Sequence, residues 1–128
     1  MTDADLSAER PTAIVVRLFD DLIARIERAG ECCRSGDIEA RYEAIVGATD
    51  ILVALHDGLD LESDDDWTRQ TSAIYRSILV ELPSVILRSD PTVADRSAAA
   101  LEPLRAAWAA ADAAAAREGG APLAVAAE

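Results

Sequence analysis

The sequence has few aromatic residues, no lysine and no long apolar segment. Aromatic residues make up 4% of the 128 residues, although apolar residues as a whole make up 51%. An alanine-rich composition with so few aromatics favours closely packed helices over a β-sheet. Because no stretch approaches the length of a membrane span and no charged start precedes an apolar run, the sequence predicts neither a signal peptide nor a membrane helix. We expect a single helical domain in the cytoplasm.

Basic residues are scarce as well. All twelve of them are arginine. The chain also has 24 carboxylates, which gives a formal net charge of −12. A chain this acidic is repelled by nucleic acids and by anionic lipid headgroups, and no local basic patch offsets that charge. The sequence therefore predicts no nucleic acid partner and no membrane insertion.

Side chains that commonly perform catalysis or bind metals are few. Cys32 and Cys33 are adjacent, so a bridge between them would close a strained ring, and they lack the spacing of metal ligands. His56 is the only histidine, which leaves no second one for a metal site or a catalytic triad. The acidic run 64–66 does not have the spacing of a calcium loop. We expect no catalytic residue, no metal and no cofactor.

Four amphipathic segments follow one another along the chain. Their expected starts are marked by a first-turn proline or by a capping aspartate, at Pro11, Asp37, Asp66 and Pro91. The second segment has the most regular apolar stripe, which alternates in steps of four and three residues: Ile38, Tyr42, Ile45, Thr49, Leu52, His56 and Leu59. Short turns between four such helices predict an all-α fold, an antiparallel up-and-down four-helix bundle.

Prolines and glycines mark interruptions and boundaries of this bundle. Pro83 and Pro103 lie inside the third and fourth helices, where each is expected to cause a kink or a break. Gly119 and Gly120 are expected to end the fourth helix. Residues 1–10 therefore form a predicted flexible N-terminal segment, residues 11–118 the helical bundle domain, and residues 119–128 a disordered tail.

An ordered set of residues across about residues 11–112 resembles the FliS family of flagellin-specific export chaperones. The helix-by-helix matches are Pro11, Leu18, Phe19 and Asp20; Leu55, Leu59 and Asp60; Ile74, Tyr75 and Leu82; and Asp90, Leu104, Arg105 and Trp108. The chain departs from the family pattern at Phe19, which replaces the usual tyrosine, at Asp21, where glycine is common, and at Pro83.

The resemblance implies a chaperone for unpolymerised flagellin that has no enzymatic activity. Such a chaperone binds the disordered C-terminal segment of flagellin, which folds into short helices in apolar grooves around the bundle. It prevents premature polymerisation and assists delivery to the export gate of the flagellar type III apparatus. This is helix-in-groove recognition coupled to folding of the client.

Apolar residues beside the helix seams are the candidates for these grooves. They are Ile14, Ile23, Val46, Val53, Tyr75, Leu79, Ile86 and Leu101. The alternative is that they thicken the core, because a bundle helix normally uses more than two positions per heptad. For Phe19, Leu59, Tyr75 and Trp108, core packing is the favoured interpretation.

Two other functions remain open from the sequence. Histidine phosphotransfer domains are helical bundles of similar size, with an exposed acceptor followed by a lysine and a small residue one turn on. His56 is instead followed by acidic residues and lies on the apolar stripe. A plain helical adaptor or dimerisation module is possible if the stripes are wider than one bundle can bury.

Overall fold

Five helices arranged in four arms form the part of the chain that the computed structural model describes, residues 9–127, with side chains described for residues 9–118. Their bounds are α1 Pro11–Ser35, α2 Ile38–Asp57, α3 Asp66–Glu81, α4 Pro83–Leu87 and α5 Pro91–Ala127. The third arm consists of α3 followed by α4, and the described residues contain no strand. The predicted all-α four-helix bundle is confirmed.

Helix α1 continues through Gly30 without a break. Gly30 is buried inside α1, where an added Cβ would lie 3.3 Å from the Ala94 Cβ of α5. The missing side chain thus lets two helices approach each other closely. The helix ends at Gly36, whose φ of 80° is left-handed and whose N–H donates to the Cys32 carbonyl at 2.9 Å.

Aspartates cap the next two helices. The Asp37 side chain accepts a hydrogen bond from the Ala40 N–H at 3.1 Å, as the sequence predicts for the start of α2. For α3 the cap is Asp65, which accepts from the Trp67 N–H at 3.2 Å, and Asp66 is the first helical residue. The predicted cap at Asp66 is therefore wrong by one residue, because in a run of three aspartates the sequence does not say which one keeps extended backbone angles.

The two internal prolines behave differently. At Pro83 the third arm is interrupted, with α3 ending at Glu81 and α4 beginning at Pro83, while Leu82 between them keeps helical backbone angles. Pro83 cannot donate the helical hydrogen bond, and the Val85 N–H bonds the Leu82 carbonyl instead, at 3.0 Å. The expected interruption at Pro83 is thus observed, whereas α5 continues through Pro103.

The C-terminal helix also continues further than expected. Helix α5 runs to Ala127 and so passes Gly119 and Gly120, the residues at which the sequence predicts its end. The predicted flexible segment 1–10 falls almost wholly outside the described residues, since these begin at residue 9. The division of the chain into leading segment, bundle domain and tail stays a prediction.

Helix α1 is the central element of the bundle. It packs most extensively against α5 and α2, whereas the α3 backbone approaches α2 and α5 over much shorter stretches and does not come close to the α1 backbone. The fully buried large side chains come from all four arms: Phe19, Leu22, Ile26, Leu52, Tyr75, Leu82, Val85 and Leu101. The third arm therefore packs through side chains such as Tyr75 and Leu82, while its backbone lies further from its neighbours than the α1 backbone does.

Ion pairs tie α1 to α5 on the outside of this core. The Asp112 carboxylate accepts hydrogen bonds from Arg10 Nε and from Thr12 Oγ1, both at 2.8 Å. The hydrogen bond from Arg10 is the main cause that holds the pKa of Asp112 below its ordinary value, and the same bond raises the pKa of Arg10. Arg105 Nε pairs likewise with Asp20 at 2.5 Å. These pairs are exposed, so they contribute to the alignment of the helices more than to stability.

Among the described residues, no helix combines the length and the apolar character that crossing a membrane requires.

Candidate partner-binding surface

Helix α2 carries large apolar side chains on its outward face. Ile38 is 67% exposed, Tyr42 55%, Val46 40% and Val53 41%. Since each residue advances a helix by about 100°, these four side chains and Thr49 fall within an arc of about 80°. We call this set the α2 stripe: Ile38, Tyr42, Val46, Thr49 and Val53. A contiguous apolar arc that the bundle leaves in water is typical of a surface that binds another protein.

The third arm lies beside this stripe and is held to α2 at two points. His56 Nε2 lies 3.0 Å from Ser72 Oγ near the end of α2, and Arg41 Nη2 donates to the Ile86 carbonyl at 3.1 Å near its start. Ser72, Leu79 and Ile86 are spaced seven residues apart, which places them on one side of the arm. Leu79 and Ile86 are half-buried against the core. Their spacing from Ser72, which contacts His56, places them toward α2. We call the seam between the α2 stripe and these two side chains the α2 cleft.

Arg41 is buried where this cleft meets the end of α4. The residue is 6% exposed, and its Nη1 also donates to the Ser89 hydroxyl. Ser89 has a left-handed backbone, with a φ of 50°. The carbonyls of the last helical turn have no partner within their helix, and a cation suits the negative end of the helix dipole. Arg41 therefore supplies from α2 the donor that the end of α4 lacks, and so sets the position of Ile86.

Sequence reasoning missed this role of Arg41. The available signal was its position: Arg41 precedes Ile45 by four residues and Ala48 by seven, and both are buried. An arginine on the inward side of an amphipathic helix needs acceptors within the fold. Which acceptors it finds depends on the neighbouring arm, which the sequence of α2 does not contain.

Replacement of Arg41 by methionine is expected to lower the free energy of unfolding by about 1–3 kcal/mol, because the half-buried Ile86 carbonyl and the Ser89 hydroxyl lose a charged donor while the aliphatic stem is kept. Chemical denaturation followed by circular dichroism measures this change. The matched variant is Arg28→Met, since Arg28 is exposed on α1 and forms no ion pair with a described residue; it is expected to change stability by less than about 0.5 kcal/mol. Equal losses of unfolding free energy in the two variants would show that the hydrogen bonds of Arg41 do not stabilise the fold.

The structure separates the sequence-predicted site residues into three groups. Val46, Val53, Leu79 and Ile86 line the cleft between α2 and the third arm. Ile23, Tyr75 and Leu101 are only 6%, 2% and 0% exposed, so their side chains belong to the core. Tyr75 also lies at the base of a pocket that Leu18, Leu59 and Trp108 help to line. Ile14 is 39% exposed but lies on α1, whose backbone does not come close to α3.

Phe19, Leu59, Tyr75 and Trp108 pack in or beside the core, as the sequence predicts. The Phe19 and Tyr75 ring centroids lie 6.4 Å apart, and both side chains are buried. Burial raises the pKa of Tyr75 to about 12. Trp108 packs against the core and meets Trp67 edge to face, with ring centroids 6.0 Å apart. Trp108 lines two pockets, one with Trp67 and one with Tyr75, and neither contains a residue of the α2 stripe.

A second cleft runs along the other side of α3, against α5. It has a volume of about 390 Å³ and is crossed by an ion pair between Glu81 and Arg96 at 2.7 Å. The lining combines small and apolar residues: Ala73, Ile74, Ser77, Ile78, Ser97 and Ala100. A cleft of this size thus lies on the α5 side of the third arm.

His56 does not stand free on the surface. Its ring lies half-buried between α2 and α3, with Nε2 on Ser72 and the ring centroid 6.3 Å from that of Tyr75. A phosphate acceptor needs an accessible ring nitrogen, so this placement does not favour phosphotransfer.

Comparison with known proteins relates this chain to flagellar proteins. Residues 2–115 match the family model described as flagellar protein FliS. The chain is also similar to the flagellar secretion chaperone FliS of Vibrio cholerae serotype O1 (strain ATCC 39315 / El Tor Inaba N16961). The two are 24% identical over 106 residues, which are 83% of this chain and 78% of the relative.

Proposed function

Because this chain belongs to the FliS family of flagellar proteins, we propose that it is a flagellar secretion chaperone whose client is the disordered C-terminal segment of flagellin. It binds that segment in the apolar clefts of the bundle, prevents premature polymerisation of the subunit and assists its delivery to the export gate of the type III apparatus. It acts in the cytoplasm by binding alone, without a catalytic residue or a cofactor. The name of the Vibrio cholerae relative supports the general role.

The observation that carries this proposal is the α2 stripe. An amphipathic helix that docks in a groove uses apolar anchors at intervals of three, four and seven residues. The stripe offers complementary apolar side chains at such intervals over the length of α2, and Leu79 and Ile86 form the facing wall. The cleft between α2 and the third arm is therefore suited to a short helix of a client that folds as it binds.

A client that folds as it binds must recover the free energy spent on ordering its chain. Ordering a disordered segment costs several kcal/mol, which must be offset by apolar area removed from water, at about 25 cal/mol per Å². Such burial has a negative heat-capacity change as its marker. Binding of the client is therefore expected to become more exothermic as temperature rises.

Calorimetric titration of the full chain with a peptide spanning the C-terminal segment of flagellin from the same organism tests the proposal. We expect saturable binding with a clearly negative heat-capacity change. A peptide of the same composition in scrambled order is the control, because it keeps the net charge and the apolar content but loses the helical spacing. Absence of saturable binding, or equal binding of the scrambled peptide, would overturn the proposed function.

A further inference from the structure

A row of carboxylates borders the α2 stripe on the side away from the third arm. Glu39, Glu43, Asp50 and Asp57 are all exposed, and at about 100° per residue they fall within an arc of about 40° directly beside Val46. None of the four forms an ion pair or a side-chain hydrogen bond with a described residue. We call this row the acidic edge.

Several carboxylates on α1 and α5 are paired, unlike those of the acidic edge. Asp20, Asp21, Asp95 and Asp112 each form an ion pair with an arginine, at distances of 2.5 to 2.9 Å. By contrast, α2 contains the four carboxylates of the acidic edge and one arginine, the buried Arg41. The outward side of α2 is therefore acidic without compensation.

The facing wall of the cleft has the opposite charge. Arg76 is exposed on α3, four residues after Ser72 and three before Leu79, so it shares their side of the helix. It forms no ion pair with a described residue. The apolar floor of the cleft thus lies between a negative edge on α2 and a positive side chain on α3.

Charges along a hydrophobic groove select among helices that fit the groove equally well. A helix with basic residues beside its apolar face is attracted to an acidic edge, and one with acidic residues there is repelled. Because the four carboxylates lie close together without counter-charges, their potential adds up along α2 and draws in a basic partner.

We propose that the α2 stripe and the acidic edge together bind an amphipathic helical segment that carries lysine or arginine along one side of its apolar face, with that basic side lying on α2. This inference rests on the proposed function, since the occupant is the client segment, and adds the charge pattern by which the segment is recognised and oriented.

Two synthetic helical peptides test this inference on the full chain. They share the same apolar positions and differ only along one flank, which carries lysine in one peptide and glutamate in the other. At low salt the lysine peptide is expected to bind at least about tenfold more tightly, and the difference is expected to shrink as the Debye length falls below about 10 Å. Fluorescence anisotropy at several salt concentrations measures both effects.

A pair of charge-reversed chains identifies the surface responsible. The triple variant Glu43→Lys, Asp50→Lys and Asp57→Lys is expected to lose the preference for the lysine peptide. The matched triple variant Glu27→Lys, Glu31→Lys and Glu102→Lys changes the net charge equally on exposed positions of α1 and α5, and is expected to keep it. Circular dichroism verifies that both chains stay helical.

Each outcome has one meaning. Equal affinity for the two peptides, failure of both to bind, or an equal loss of preference in both triple variants overturns the inference. If the flagellin peptide binds the wild type and the acidic-edge variant equally well, the inference fails while the proposed function stands. If the lysine peptide binds selectively but the flagellin peptide does not bind, the surface is assigned correctly and the proposed client is wrong.

Discussion

Aspartate at both Val46 and Val53 is expected to weaken binding of the flagellin segment by a factor of about thirty to several hundred. The two valines are 40% and 41% exposed in the free chain, and a docked helix would cover this exposed surface. Their replacement removes apolar contact and forces two carboxylates to lose water in the complex. Together these effects amount to about 2–4 kcal/mol of binding free energy. Calorimetric titration measures the loss.

The same double variant is expected to remain folded, because both side chains already meet water and valine and aspartate have similar helix propensities. A second double variant, Val46→Thr with Val53→Thr, keeps the shape without adding charge and is expected to give an intermediate loss. Leu61→Asp is the surface control, since Leu61 is 58% exposed in the turn after α2. If the aspartate variant binds normally, the α2 stripe is not the docking surface; if it unfolds, the two valines belong to the core.

Replacement of Leu101 by alanine is expected to lower the free energy of unfolding by about 2–5 kcal/mol. Leu101 is 0% exposed and lies in the cluster that joins α5 to α1. Its truncation removes apolar burial and leaves a cavity that the surrounding helices fill only in part. Urea denaturation followed by circular dichroism gives the change from the shift of the midpoint.

Leu61→Ala is the matched variant for this experiment, because it deletes the same atoms from an exposed position and should change stability by less than about 0.5 kcal/mol. The folded fraction of Leu101→Ala is expected to bind the flagellin segment nearly as well as the wild type. A variant that keeps full stability and loses binding would instead place Leu101 in the groove.

The sequence predicts the helices of this protein well because their signals are local. A first-turn proline at Pro11, a capping aspartate at Asp37 and a proline that cannot donate at Pro83 act within one or two helical turns. The exceptions involve contacts between arms. Gly30 lies inside α1, where its missing side chain lets α5 approach closely. Arg41 can be buried because it donates a hydrogen bond to a carbonyl of α4.

By itself, the sequence determined the fold class, the family and the presence of more apolar side chains than one seam requires. Only the tertiary structure decided which of them are buried and which remain in water, because helical periodicity places a residue on a face without saying what covers that face. Leu101 and Val53 both lie beside a helix seam, yet Leu101 is fully buried in the core whereas Val53 is 41% exposed. That difference depends on contacts between residues far apart in the chain, which no local pattern contains.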